Sequence, residues 1–137
     1  MSTKKKNDAP LDFDAFLTAQ DRHSSGKEIE IRSHTGEPTG AFFTVVGFES
    51  PQYRDAERAW GAKLVADRAT HEATQADEDD RQAFILSRCV TGWRNVVVAG
   101  KPVGHSLEMA ERFLSQSRVL RGQVFTAVYD DAGFTAS

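Results

Sequence analysis

The sequence holds a single cysteine, Cys89, so no internal disulfide can staple it and no oxidising-compartment framework is implied. It has no basic excess: 17 Lys and Arg stand against 20 Asp and Glu, a net charge of -3. A nucleic-acid partner, whose phosphates call for a net basic face, is therefore not expected. No apolar run approaches the roughly 20 residues of a membrane helix, so no membrane partner is expected either. The basic start MSTKKKNDAP is followed by no apolar stretch, which does not read as a secretory signal. These absences leave one soluble, intracellular domain as the expectation.

What is present suits that size. At 137 residues with 39% hydrophobic content, the chain can bury roughly two thirds of its unfolded surface. Residues 1–10 are polar and charged and read as a disordered basic tail. Lys4, Lys5 and Lys6 are either a solubilising element or a contact for an acidic partner. Residues 11–137 read as a single α+β domain. Leu11, Phe13, Phe16 and Leu17 have near-helical spacing, with Asp12 or Asp14 as cap, and the helix should stop before Ser24-Ser25-Gly26.

From Lys27 the period changes to two. Ile29 and Ile31 face one side while Glu28, Glu30 and Arg32 face the other, the pattern of a half-buried strand. His34-Thr35-Gly36-Glu37-Pro38 is turn chemistry, with Gly36 free to take positive φ. Phe42 to Val46 forms a second strand, apolar on both faces, so each face needs a cover.

Ser50-Pro51 starts a helix, serine as N-cap and proline at the first helical position. Its stripe is Tyr53, Ala56, Trp60 and Leu64, thinning to Ala66, Ala69, Ala73 and Ala76. Beyond the acidic run Asp77 to Asp80 it thickens again through Ala83, Leu86, Val90 and Trp93. No glycine or proline falls between Ala62 and Thr91, which predicts one long helix, continuous, or bent or broken near the acids. Continuous, its roughly 40 residues would span about 60 Å, more than the width of such a domain. Val96 to Val98 is a candidate third strand. Ser106 then caps a helix burying Leu107, Ala110, Phe113 and Leu114, and a cap or kink at Ser117 leads to a second helix through Leu120, Val124, Ala127 and Val128. The fold class predicted is α+β: an N-terminal β-hairpin or small sheet packed with one long helix and a C-terminal helical pair.

No complete catalytic, nucleotide or metal motif emerges. Asp67 and His71 have ligand spacing on one helical face but no further zinc ligands, so a solvated face is the better reading. Ala99-Gly100-Lys101-Pro102 lacks the remaining residues of a phosphate loop. Gly104-His105-Ser106-Leu107-Glu108 has Glu108 where a nucleophile elbow needs glycine, and Ser106 serves better as a cap. Asp77 to Asp80 lacks the alternation of a calcium loop and reads as a solvated bend. The expectation is a binding protein with no catalytic residues, no cofactor and no metal.

Two stretches carry a family resemblance. One is Glu28-Ile29-Glu30-Ile31-Arg32, Gly36-Glu37-Pro38-Thr39-Gly40 and Val46-Gly47-Phe48-Glu49-Ser50-Pro51-Gln52-Tyr53-Arg54. The other is Thr91-Gly92-Trp93-Arg94-Asn95, Gly100-Lys101-Pro102-Val103 and Ser106-Leu107-Glu108-Met109-Ala110, with a closing helix ending near Phe134. Together they resemble the small tail assembly chaperones of long-tailed bacteriophages, from about residue 27 onward. The resemblance implies a non-enzymatic protein of the infected bacterial host's cytoplasm that binds the tape-measure protein, keeps it soluble during tail assembly and forms homo-oligomers. The residues expected to meet a partner are Trp60, Leu64, Ala66, Ala69, Ala73 and Trp93, since an alanine face lets a partner helix approach closely. The rival reading is a structural tail or neck component retained in the virion. A more distant one is a small phage or bacterial regulator.

Overall fold

A computed structural model of the protein describes residues 10–67 and 75–135. The expected tail, residues 1–10, lies outside them except for Pro10. The architecture is α+β, with a three-stranded antiparallel sheet against a layer of helices.

The chain opens with α1 (Phe13–Ser25), whose N-cap Asp12 accepts the Asp14 N–H. The helix runs through Ser24 and Ser25 instead of stopping before them. Their hydroxyls fold back onto the Gln20 and Asp21 carbonyls, which removes their competition with the helix. Gly26 ends it.

Strand β1 (Lys27–Arg32) alternates as expected, and the turn places Gly36 at φ 85°. Strand β2 (Pro38–Val45) begins four residues earlier than Phe42, because proline at a strand's first position forfeits no interior ladder bond. Facing pairs include Ile29 with Phe43 and Glu30 with Phe42. Both faces of β2 are covered, by different means. Phe43 and Val45 join the helix-side core, while on the other face the Arg94 guanidinium lies 4.0 Å from the Phe42 ring centre.

The long helix is not continuous; of the alternatives it is the broken one, two helices, α2 (Pro51–Asp67) and α3 (Gln75–Cys89). They lie side by side: Arg81 reaches the Glu57 carboxylate at 3.8 Å, and the Trp60 and Phe84 ring centres are 5.3 Å apart. In one straight helix residues 57 and 81 would be about 36 Å apart. The acids do not form the predicted bend. Asp77 and Glu78 occupy the first turn of α3, where the helix dipole favours negative charge. Ser50 performs as expected, accepting the Tyr53 N–H.

A second correction concerns the end of that stripe. Val90 and Trp93 are not helical; they belong to β3 (Val90–Arg94), which pairs antiparallel with β2 and completes the order β1-β2-β3. Val96 to Val98 is therefore not the third strand of this sheet. Val97–Val98 (β4) pairs only with Lys101–Pro102 (β5) in a separate small ladder. A hairpin alone is marginal, so β2 recruits the β-branched Val90-Thr91 as its second edge.

Helices α4 (Leu107–Gln116), α5 (Arg118–Val128) and α6 (Asp131–Thr135) close the chain. Ser106 and Ser117 both cap, accepting the Met109 and Leu120 N–H groups. Leu107 departs from its expected burial: it sits in the first turn of α4 and is exposed, while Ala110 and Leu114 carry the buried face. The core sits where α3 meets α2, α4 and α5, around Leu86, Cys89, Leu114, Val124 and Val128.

Candidate partner-binding surface

Of the six residues expected to meet a partner, the four that are described are not brought into one face. Trp60 is 9% exposed and packs on Phe84, so it is chiefly a core residue with one edge at the surface. Leu64, one turn further along α2, is 43% exposed, and Ala66 is exposed. Ala69 and Ala73 lie outside the described residues, as does His71. Trp93 sits elsewhere, on β3. Its ring lies between Phe43 and Phe113, and its indole N–H donates to the Val103 carbonyl at 2.8 Å. That donor is spent inside the fold.

Trp60 and Leu64 do share a groove. Its volume is about 520 Å³, in the range of ligand sites, and Ala83 and Phe84 complete its apolar floor. Asp77, Asp80, Glu111 and Lys63 line it as well. The Lys63 ammonium hangs over both rings, 5.7 Å from the Trp60 centre and 5.9 Å from that of Phe84. Lining of this kind suits an apolar side chain that arrives with positive charge beside it.

Among the described residues, a group of exposed apolar side chains gathers at the start of α1. Leu11 is 74% exposed, Phe13 62%, Phe16 51% and Leu17 43%. Phe13, Phe16 and Leu17 fall at helical steps of three and four, so they form one stripe. Towards its other end the same helix is anchored by His23, which has no solvent exposure. Its imidazole stacks on Phe134, meets the Phe48 ring edge-on and bonds Asp131 through Nε2 at 2.7 Å.

His23, Glu49 and Asp131 also form a cluster whose ligand atoms lie within 4.8 Å of one another. Sequence spacing did not signal it, because its members are 26 and 82 positions apart in chain order. The cluster is poorly set for a metal. The Glu49 N–H donates to Nδ1 at 3.3 Å, which leaves the ring proton on Nε2, pointed at Asp131. A ligating Nε2 would have to shed that proton, and Nδ1 would then meet a donor with a donor.

Two other reactive groups are held inert. Burial pushes the Cys89 thiol up to about 12, and the Glu57 carboxylate adds to it, so no nucleophilic thiolate forms at neutral pH. Tyr53 is raised above the ordinary phenol range by burial and by its hydrogen bond with Tyr129. Buried polar side chains are otherwise paired: among the described residues no buried side-chain nitrogen or oxygen lacks a partner. Arg121, nearly buried, donates to the Leu114 carbonyl at 2.8 Å and faces Asp79 at 3.5 Å. No helix of the described residues is long and apolar enough to cross a membrane.

No protein-family model matches the chain, no curated protein matches it, and no solved structure matches it.

Proposed function

We propose that this protein is a tail assembly chaperone of a long-tailed bacteriophage, which binds the tape-measure protein and keeps it soluble in the host cytoplasm before the tail tube forms around it. The motifs around Glu28 to Arg54 and Thr91 to Ala110 supply the family resemblance. The observation that carries the reading is the apolar surface left uncovered at two places, the α1 stripe and the Leu64 end of α2. A long, helical, apolar-faced client is the kind of partner that such stripes and grooves take, by seating side chains at helical spacing. The net charge of -3 favours solubility of the free protein.

Co-expression with the tape-measure protein of the same phage, followed by a pull-down at low and high salt, tests the reading. The client should co-purify and stay soluble only in the presence of this chain. Salt should matter little, because exposed ion pairs contribute only about 0–1 kcal/mol each. A client equally soluble alone and absent from the pull-down sinks the proposal. Mass spectrometry of purified particles separates the rival: a chaperone is missing from them, a structural component is present.

A further inference from the structure

Strand β1 is an edge of the sheet, and its backbone alternates between bonding β2 and pointing away from it. Arg32 points away: the Gln123 amide of α5 takes both its N–H and its carbonyl, at 2.8 and 2.9 Å. Ser33, next to it, bonds inward to the Glu37 carbonyl. Two and four residues earlier, the N–H and C=O groups of Glu30 and Glu28 lie on the same outer edge as those of Arg32. The register agrees. Val46 bonds across to Cys89, so Thr44 and Phe42 serve β3, which leaves Val45 and Phe43 to bond Lys27 and Ile29. The irregularity between Glu30 and Arg32 inserts residues into β2 and leaves the alternation of β1 intact. Among the described residues, nothing bonds the outer backbone groups of Glu28 and Glu30. Beside them, between β1 and α5, runs a groove of about 490 Å³ with Ile29, Val119 and Ala127 as its apolar lining. Gly122 adds no side chain to it and faces open space.

We infer that this edge of β1 takes an extended segment of a partner protein as an added strand, apolar toward the groove and basic opposite Glu30. Gln123 shows what the edge accepts. Its amide carries the N–H and C=O of a peptide unit and makes the pair of bonds that a strand would make, but it fills only the last rung. The rungs at Glu30 and Glu28 offer the same bonds to a real backbone, which is how an added strand gains affinity. From Glu28 to Arg32 the edge is about 13 Å long, so five residues of extended chain cover it. Alternate side chains of the added strand would face the groove, where Ile29, Val119 and Ala127 favour apolar ones. The others would lie beside Glu28 and Glu30. Arg94 already forks Glu28, so the preference for a basic residue falls on the Glu30 position. The inference does not rest on the tape-measure reading, and a failed pull-down of that client leaves it standing.

A capped peptide alternating valine with lysine, added to the full chain, is the probe, and amide NMR with hydrogen exchange reads the result. In the free protein the Glu28 and Glu30 amides should exchange fast while that of Ile29, held in the ladder, is protected. The peptide should shift and protect Glu28 and Glu30. Its lysines, lying opposite Glu30, turn their own amides to the edge. N-methylation of the lysines should therefore abolish binding, whereas N-methylation of the valines should leave it. Glu30→Pro removes an outward N–H and no ladder bond, so the fold should persist and affinity should fall about ten-fold or more. Glu28 and Glu30 amides that the peptide leaves unmoved overturn the inference, as does equal binding of the two methylated peptides. Protection of these amides that grows with protein concentration alone would put a second copy on the edge, and overturns it too.

Discussion

At Gly47 the backbone passes directly against the His23 imidazole, and its N–H donates to the His23 carbonyl at 2.9 Å. A Cβ at this position would collide with the ring. Glycine is required here for close approach, not for an unusual φ. Gly47→Ala should therefore destabilise the fold by roughly 1–3 kcal/mol, the cost of forcing an extra methyl into a filled site. Urea denaturation reads this directly; an unchanged midpoint would mean that the imidazole is not seated there. Nothing in the sequence marked this contact. His23 stands in no motif, and its partners Glu49, Asp131 and Phe134 are distant along the chain. Local patterns report local contacts: the caps Ser50 and Ser106 were legible because each acts on an N–H three residues ahead.

Elements were legible where one face is buried and the period is clean. β1 alternates because a single residue slip would turn Ile29 and Ile31 to water. The end of α3 was not legible, because Val90 and Trp93 continue a stripe at helical spacing and also suit a strand. The sheet decides between them: β2 has a free edge, and Val45 pairs with Val90 across it. The opposite edge is treated differently. Gln123 of α5 donates to the Arg32 carbonyl and accepts the Arg32 N–H, at 2.9 and 2.8 Å, so a side-chain amide stands in for a neighbouring strand at that end of β1. Of the stripe Tyr53, Ala56, Trp60 and Leu64, the first three pack into the core as their spacing requires, while Leu64 stays exposed. Trp60→Ala should cost roughly 3–5 kcal/mol, as for other large aromatic truncations in cores. If the melt is unchanged instead, the α2–α3 contact through Phe84 does not hold the helices together.

Over the whole molecule, the first and last helices are tied to each other. α1 meets α6 through His23 and Phe134, and Lys27, just past α1, adds a second tie. Its ammonium lies 4.3 Å from the Phe134 ring centre and 3.2 Å from the Asp130 carboxylate. The uncovered stripe of α1 therefore projects from a helix whose other end is fixed, which lets it be presented to a partner without unfolding. This arrangement was out of reach of sequence reasoning, which placed Phe134 only as a closing apolar residue.

Asp130 makes the tie measurable. The Gly133 N–H, first, and Lys27, second, hold its carboxyl below the ordinary carboxylate range. A group whose folded value is depressed favours the folded state when ionised. Its contribution is therefore present above the ordinary carboxylate pKa and fades as pH falls through the lower folded value. Asp130→Asn removes the charge at every pH, so the variant should melt below the wild type at neutral pH, and the gap should close under acid conditions. All other carboxylates titrate in both proteins, which makes the difference between the two curves specific to Asp130. Melting temperatures of the pair, recorded from neutral to strongly acid pH, give the answer. A gap that stays constant would show that the Asp130 side chain matters only for its shape. The tie between α1 and α6 would then rest on the contacts that do not need this charge, among them His23 with Phe134 and Asp131 and Lys27 over the Phe134 ring.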